Sequence, residues 1–374
     1  MIQKFNRIFS RPDWYLFIPA LLISLFGLFT MYSTKDLNIY FNHQIIWIIL
    51  ASVVFLIFSL LDFRFLRRRD VIISLYIFTI FLLTLVLVIG SNVKGAVSRF
   101  HLGFFAIQPA DPAKLVIIAL LAKYFDKRHI EIANIRHIII SGAYAAFVFF
   151  LILIQPDFGS AIIILFIWFG MVLVSGISKK HLLLVVIGGI ISSVIMWNFA
   201  LHDYQKQRIM TFLHPLQDLQ GAGYNAYQSV IAVGSGQIIG KGIGFGTQSK
   251  LLFLPEYQTD FIFASFTEEW GFIGAVILIF LYIILIFRII YIASIGSTNY
   301  ETLFAVGVAT LIFAHFTIHI GMNIGVMPVT GITLPFMSYG GSHLLTEFGA
   351  LGILSAMKNY ARLTVNTQAY DYVG

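Results

Sequence analysis

Hydrophobic residues in this chain form long, nearly unbroken blocks separated by short polar breaks, rather than following the spacing of an amphipathic helix or a half-buried strand. Runs able to cross about 30 Å of hydrocarbon extend from Tyr15 to Ser33, His43 to Leu61, Val71 to Gly90, Pro109 to Phe125 and His137 to Ile154. Further runs extend from Phe158 to Ser175, Leu182 to Leu201, Phe261 to Phe287, Thr302 to Gly325 and Ser338 to Met357. The pattern predicts an all-α, polytopic integral membrane protein of about ten transmembrane helices, one domain over residues 1–374. The first run follows Lys4, Arg7 and Arg11 without an Ala-x-Ala-like cleavage site, so a retained signal anchor is expected.

The polar breaks differ in character. Residues 91–115 begin as a glycine-bearing polar loop and re-enter the membrane at Pro109, a residue favoured in the first helical turn. Asp111 there complements the positive end of the helix dipole, and Lys114 follows at i+3 on the same face. QPDFGSA, residues 155–161, reads as a tight turn in which Asp157 caps the helix starting at Phe158. Residues 202–259 make a connection longer than loops usually are, yet Phe212, Tyr224, Tyr227 and Leu251–Phe253 are too apolar for a solvated linker. Interfacial or re-entrant helices are expected in it. Residues 328–341, PVTGITLPFMSYGG, read as a turn-rich wall of a cavity. His315, His319 and Asn323 recur every four residues as one polar stripe, where interhelical hydrogen bonding is favoured over a metal site for want of a third ligand.

Composition agrees, with 59% hydrophobic residues, 11% charged, 37 Phe and a mean hydropathy of +0.89. The absence of cysteine excludes disulfides, thiolate metal sites and a Cys nucleophile. An even number of spans puts both termini on one side. Placing them in the cytoplasm assigns 16 of the 24 Lys and Arg residues to that side. This is the positive-inside bias, and it accounts for most of the net charge of +7 without a nucleic-acid partner. Lys94, Arg99, Lys114 and Arg208 defy the bias by falling on external connections, so something other than membrane orientation is expected to hold them there. A Walker phosphate loop at Gly240–Lys241 fails, because Ser235 and Gly242 stand where Gly and Ser or Thr are required.

The strongest candidate for chemistry lies in residues 254–274, LPEYQTDFIFASFTEEWGFIG, which place Asp260, Glu268 and Glu269 at the mouth of a span. A carboxylate at bilayer depth costs roughly 3 kcal/mol even on lenient scales, so it is a functional-site candidate by default. Asp260 is suited to act as a general base or to hold a divalent cation, Mg or Mn, and Glu268, Glu269 and Ser338 are secondary candidates.

Six ordered stretches carry a resemblance: KGAVSRFHLG, QPADPAKL, QPDFGSA, RIMTFLHP followed by GAGYNAYQSVIAVGSG, the run from GTQSKLLFLPEYQTD to EEWGFIG, and NIGVMPVTGITLPFMSYGGS. Over nearly its whole length the chain resembles the SEDS family (shape, elongation, division and sporulation), most of all its elongation branch. The resemblance implies a peptidoglycan glycosyltransferase, polymerising lipid II into β-1,4 glycan at the outer face of the bacterial cytoplasmic membrane and releasing undecaprenyl pyrophosphate. It implies that Asp260 is the essential aspartate and that Arg99, Lys114, Arg208, Asp111 and Asp157 line the same external cavity. The implied partners are the nascent glycan strand, a class B penicillin-binding protein and other membrane proteins of the elongation complex, with no organic cofactor. Two departures stand out: QPAD replaces the usual Gln-Pro-Ser-Glu, and Phe100 follows Arg99 where Trp is usual. A flippase for lipid-linked precursors and a non-catalytic scaffold are the competing classes.

Overall fold

The computed structural model describes residues 12–32, 37–93, 96–102, 105–126, 135–199, 201, 203–214 and 223–371. Lys94 and the basic residues of the first eleven positions lie outside them. The helices in order are α1 (Trp14–Tyr32), α2 (Leu37–Leu60), α3 (Arg69–Ile89), α4 (Ala110–Asp126), α5 (Ile135–Ile154), α6 (Phe158–Val174) and α7 (Lys179–Phe199). There follow α8 (Asp203–Leu213), α9 (Tyr224–Ser235), α10 (Thr247–Lys250), α11 (Ile262–Ser294), α12 (Asn299–Asn323) and α13 (Gly341–Asp371).

Seven of these, α1, α2, α3, α5, α7, α11 and α12, are long and apolar enough by themselves to cross a membrane. The other three expected spans also form helices, but α6 is shorter, and α4 and α13 carry charges. In α4 the charges pair within the helix, Lys114 with Asp111 at 3.1 Å and Lys123 with Asp126 at 3.4 Å. Between α7 and α11, where interfacial or re-entrant helices were expected, the chain forms α8, α9 and α10.

One departure from the expected pattern is a small antiparallel sheet, β1 (Ser91–Val93), β2 (Ala96–Leu102) and β3 (Phe105–Ile107), where a loop was expected. Its register sets Ser91 opposite Arg99 and Phe100 opposite Ile107. Two of the strands have three residues each, too few for alternation to show.

The core is built from the facing sides of α1 to α6, α11, α12 and α13. Helix α13 lies along α2, α11 lies along both α12 and α1, and α12 covers α4 and α6. Tyr282 of α11 is fully buried, and its hydroxyl donates to the carbonyl of Pro335. Helix α7 is the exception: none of its side chains is fully buried, and it touches the core through the partly buried Met196.

At the end of the bundle where α11 finishes, Asp13 receives Arg288 at 2.7 Å and Lys358 at 2.6 Å, which ties the start of α1 to α11 and α13. Arg67, after α2, pairs there with Glu301 of α12. The opposite end holds Asp260.

Candidate functional site

Asp260 sits in the turn that leads into α11, half-buried. Asn323, at the last position of α12, fixes this turn. Its Nδ2 donates to the Asp260 carbonyl at 3.1 Å, and its Oδ1 accepts from Ala264 N at 3.1 Å, one of the amides a helix start leaves unpaired. Ser338 holds the turn from the other side: its hydroxyl donates to the Thr259 carbonyl at 2.8 Å and accepts from Leu334 N at 2.8 Å. The backbone next to the carboxylate is therefore clamped by α12 and by the 334–338 turn.

Arg208 of α8 faces the same spot. A Cβ on Gly331 would lie 3.6 Å from Oδ2 of Asp260 and 3.8 Å from Nη1 of Arg208, and Gly331 has a φ of +74° that side-chain-bearing residues rarely adopt. Glycine at this position therefore leaves a cradle between a carboxylate and a guanidinium. Arg208 also donates to the Val329 carbonyl at 3.4 Å. The 330–332 segment rests on the start of α6, where a Cβ on Gly159 would meet Ile332 Cγ1 at 2.8 Å.

That start of α6 brings in a second arginine. Asp157 caps α6 as its spacing predicted, with Oδ1 accepting from Ser160 N at 3.0 Å. Its Oδ2 accepts from Gln108 Nε2 at 2.6 Å, and Gln108 Oε1 accepts from Arg99 Nε at 3.2 Å. Tyr204 of α8 donates to the Pro156 carbonyl at 3.2 Å, docking the helix of Arg208 against the same turn. Arg99, Asp157, Arg208 and Asp260 thus belong to one constellation at one end of the bundle, with Arg99 and Arg208 exposed and charged.

The remaining candidates are placed differently. Asp111 and Lys114 turn inward, both buried, paired with each other and joined by His343. Glu268 is fully buried and serves packing: it accepts from Lys241 Nζ at 2.7 Å, Thr247 Oγ1 at 3.0 Å and Gln248 N at 3.0 Å. Glu269 accepts from Gly244 N at 3.2 Å. The two glutamates therefore staple residues 241–248 to α11. His315 and His319 hydrogen-bond through Nδ1 to the carbonyls of Thr333 at 3.1 Å and Ile332 at 2.7 Å, so the polar stripe on α12 holds the wall segment. Among the described residues no group of three or more His, Asp or Glu side chains gathers as a metal-ligand set.

A family model for cell cycle proteins, FtsW/RodA/SpoVE, matches residues 13–363. The chain belongs to the FtsW/RodA/SpoVE family. The peptidoglycan glycosyltransferase MrdB of Escherichia coli K12 is 37% identical to it over 289 residues, 77% of this chain and 78% of that protein. Stage V sporulation protein E of Bacillus subtilis is 33% identical over 363 residues, 94% of this chain and 98% of that protein. A chain solved in a peptidoglycan synthase complex that coordinates polymerization and crosslinking superposes with a TM-score of 0.80 at 30% identity, covering 94% of this chain and 98% of that one. The rod shape determining protein RodA of Thermus thermophilus gives a TM-score of 0.70 at 28% identity, covering 93% and 97%. The SEDS resemblance read from the six motifs is thereby confirmed.

In this FtsW/RodA/SpoVE chain two site residues escaped the sequence reading. Gln108 stands inside the QPAD stretch, but no spacing rule announces an amide that bridges an arginine to a helix cap. Asn323 was visible only as the last member of a polar stripe, and its contact with the Asp260 turn depends on how α12 meets α11.

Proposed function

We propose that the chain polymerises lipid II into β-1,4 glycan at the outer face of the bacterial cytoplasmic membrane during elongation, next to a class B penicillin-binding protein and other membrane proteins of the elongation complex. The observation that carries this reading is the cradle at Gly331, which opens between the Asp260 carboxylate and the Arg208 guanidinium. Relatives named as peptidoglycan glycosyltransferases and a neighbour from a peptidoglycan synthase complex support it.

In the proposed reaction the acceptor 4-hydroxyl attacks the donor anomeric carbon, Asp260 takes the hydroxyl proton, and the bond from that carbon to the pyrophosphate oxygen breaks. Arg208 and Arg99 hold the departing pyrophosphate, where planar guanidinium groups grip oxygens in pairs. A divalent cation fits only in the open mode, with one carboxylate and the rest of the shell from phosphate and water, and it would neutralise pyrophosphate charge.

The test is glycan synthesis from purified lipid II. Asp260→Asn keeps size and most hydrogen bonding but removes the charge, so the variant should insert, bind its transpeptidase partner and make at least about a hundredfold less glycan. Near-normal synthesis would overturn the assignment.

A further inference from the structure

Where α4, α12 and α13 meet, the protein buries more charge than the proposed reaction uses. Asp111 and Lys114 are paired at 3.1 Å, Nδ1 of His343 lies 3.8 Å from the same carboxylate, and Nε2 of His343 lies 2.8 Å from Oε1 of Glu347. All four are at most 8% exposed. Two carboxylates and one ammonium leave one negative charge in excess, and an imidazolium at His343 restores neutrality. The ring lies between the two carboxylates, 2.8 Å from Glu347 and 3.8 Å from Asp111, as a charge-to-charge contact.

A second set of contacts leads from this cluster to the site. The other oxygen of Glu347 accepts from Phe336 N at 2.7 Å, and Phe336 has a φ of +62°, a conformation uncommon for a bulky residue. Phe336 lies in the turn that Leu334 and Ser338 close and that Ser338 ties to the carbonyl of Thr259, next to Asp260. Tyr339 N adds a bond of 2.9 Å to the Gln258 carbonyl.

We propose that His343 and Glu347 are positioning residues for Asp260: the buried pair holds the strained Phe336 turn, which clamps the backbone carrying the carboxylate. Neither touches substrate. The pair also explains how the shorter carboxylate of Asp111 is accommodated, since it is reached by Lys114 and by His343 together.

The inference rests on the glycan polymerase reading, so wild type and Asp260→Asn are assayed beside the variants, all as the full chain reconstituted with lipid II. His343→Gln leaves an unbalanced buried charge and is expected to lower kcat about tenfold at unchanged KM. The double variant His343→Gln with Glu347→Gln removes one charge of each sign and keeps an oxygen for Phe336 N, so kcat should return to within about threefold of wild type. His343→Gln with Glu347→Leu lacks that oxygen and should stay low.

The groups facing His343 are Asp111 and Lys114 of α4, Glu347 on its own helix, and His315 and His319 of α12. Wild-type kcat in His343→Gln, an additive loss in the double glutamine variant, or an effect confined to KM would each overturn the proposal. If His343→Gln does not fold, the comparison of the two double variants decides. A wild type that makes no glycan would instead sink the polymerase reading.

Discussion

A guanidinium and an ammonium of equal charge are not equivalent at the mouth of this bundle. Arg208 donates through Nη1 to the Val329 carbonyl, and the same nitrogen borders the Gly331 cradle. Lysine would keep the charge but lose the paired donors. Arg208→Lys is therefore expected to raise KM for lipid II about fivefold with a smaller change in kcat, read from initial rates across lipid II concentrations. An unchanged KM would make Arg208 a structural residue. At this scale much of the site was legible: the capping role of Asp157 and the i+3 pairing of Asp111 with Lys114 follow from spacing alone. The bridging role of Gln108 and the inward turn of Lys114 do not, because local sequence says nothing about which neighbour a long side chain will meet.

Among the elements, α11 carries the most information. Gly271 breaks it with φ +66° and ψ −166°, which leaves Ile262–Trp270 as a separate half-helix in front of the span proper. The segment before α11 docks on this break through backbone bonds: Lys241 N to Glu268 O at 3.0 Å, Gly242 N to Glu269 O at 3.0 Å, Phe272 N to Gln237 O at 2.9 Å and Ile273 N to Ile238 O at 3.1 Å. A Cβ on Gly271 would lie 2.3 Å from Gly240 N. Gly271→Ala combines a clash with a forbidden backbone and should cost about 3 kcal/mol. Gly234→Ala, in α9 with nothing within 4 Å, should leave stability unchanged or slightly raised. Thermal unfolding of the two variants in detergent checks the difference, and equal melting would contradict the docking role of the break. The same contacts explain why Glu268 tolerates burial: both its oxygens accept from the segment it holds.

Across the whole molecule, charge separates by end. Arg64, Arg67, Arg68 and Arg69 gather between α2 and α3, and Arg288 and Lys358 converge on Asp13 at the same end. Asp260, Arg99, Asp157 and Arg208 occupy the other. The positive-inside rule predicts the cation-rich end inside and hence the site facing out, as proposed above. The chain has no cysteine, so single engineered thiols read this directly. In intact cells a membrane-impermeant reagent should label Gln207→Cys on exposed α8 and spare Ser294→Cys at the far end of α11. The reverse pattern would invert the topology and remove the outward-facing mechanism.

The order of the apolar helices, the polar breaks between them, the family and the candidacy of Asp260 could be read from the sequence alone. Each of these rests on local composition: apolar length against bilayer thickness, charge against the cost of burial, and motif order along one chain. Tertiary structure alone decided which charges share a site. It sent Asp111 and Lys114 inward to His343 and Glu347, made Glu268 and Glu269 a staple, folded residues 91–107 into strands too short to announce themselves, and brought Gln108, Asn323 and Gly331 to Asp157 and Asp260. The sheet aside, those outcomes depend on contacts between residues well separated along the chain, 20 positions for Gln248 with Glu268, 49 for Gln108 with Asp157 and 63 for Asn323 with Asp260, which helix packing creates and periodicity does not encode.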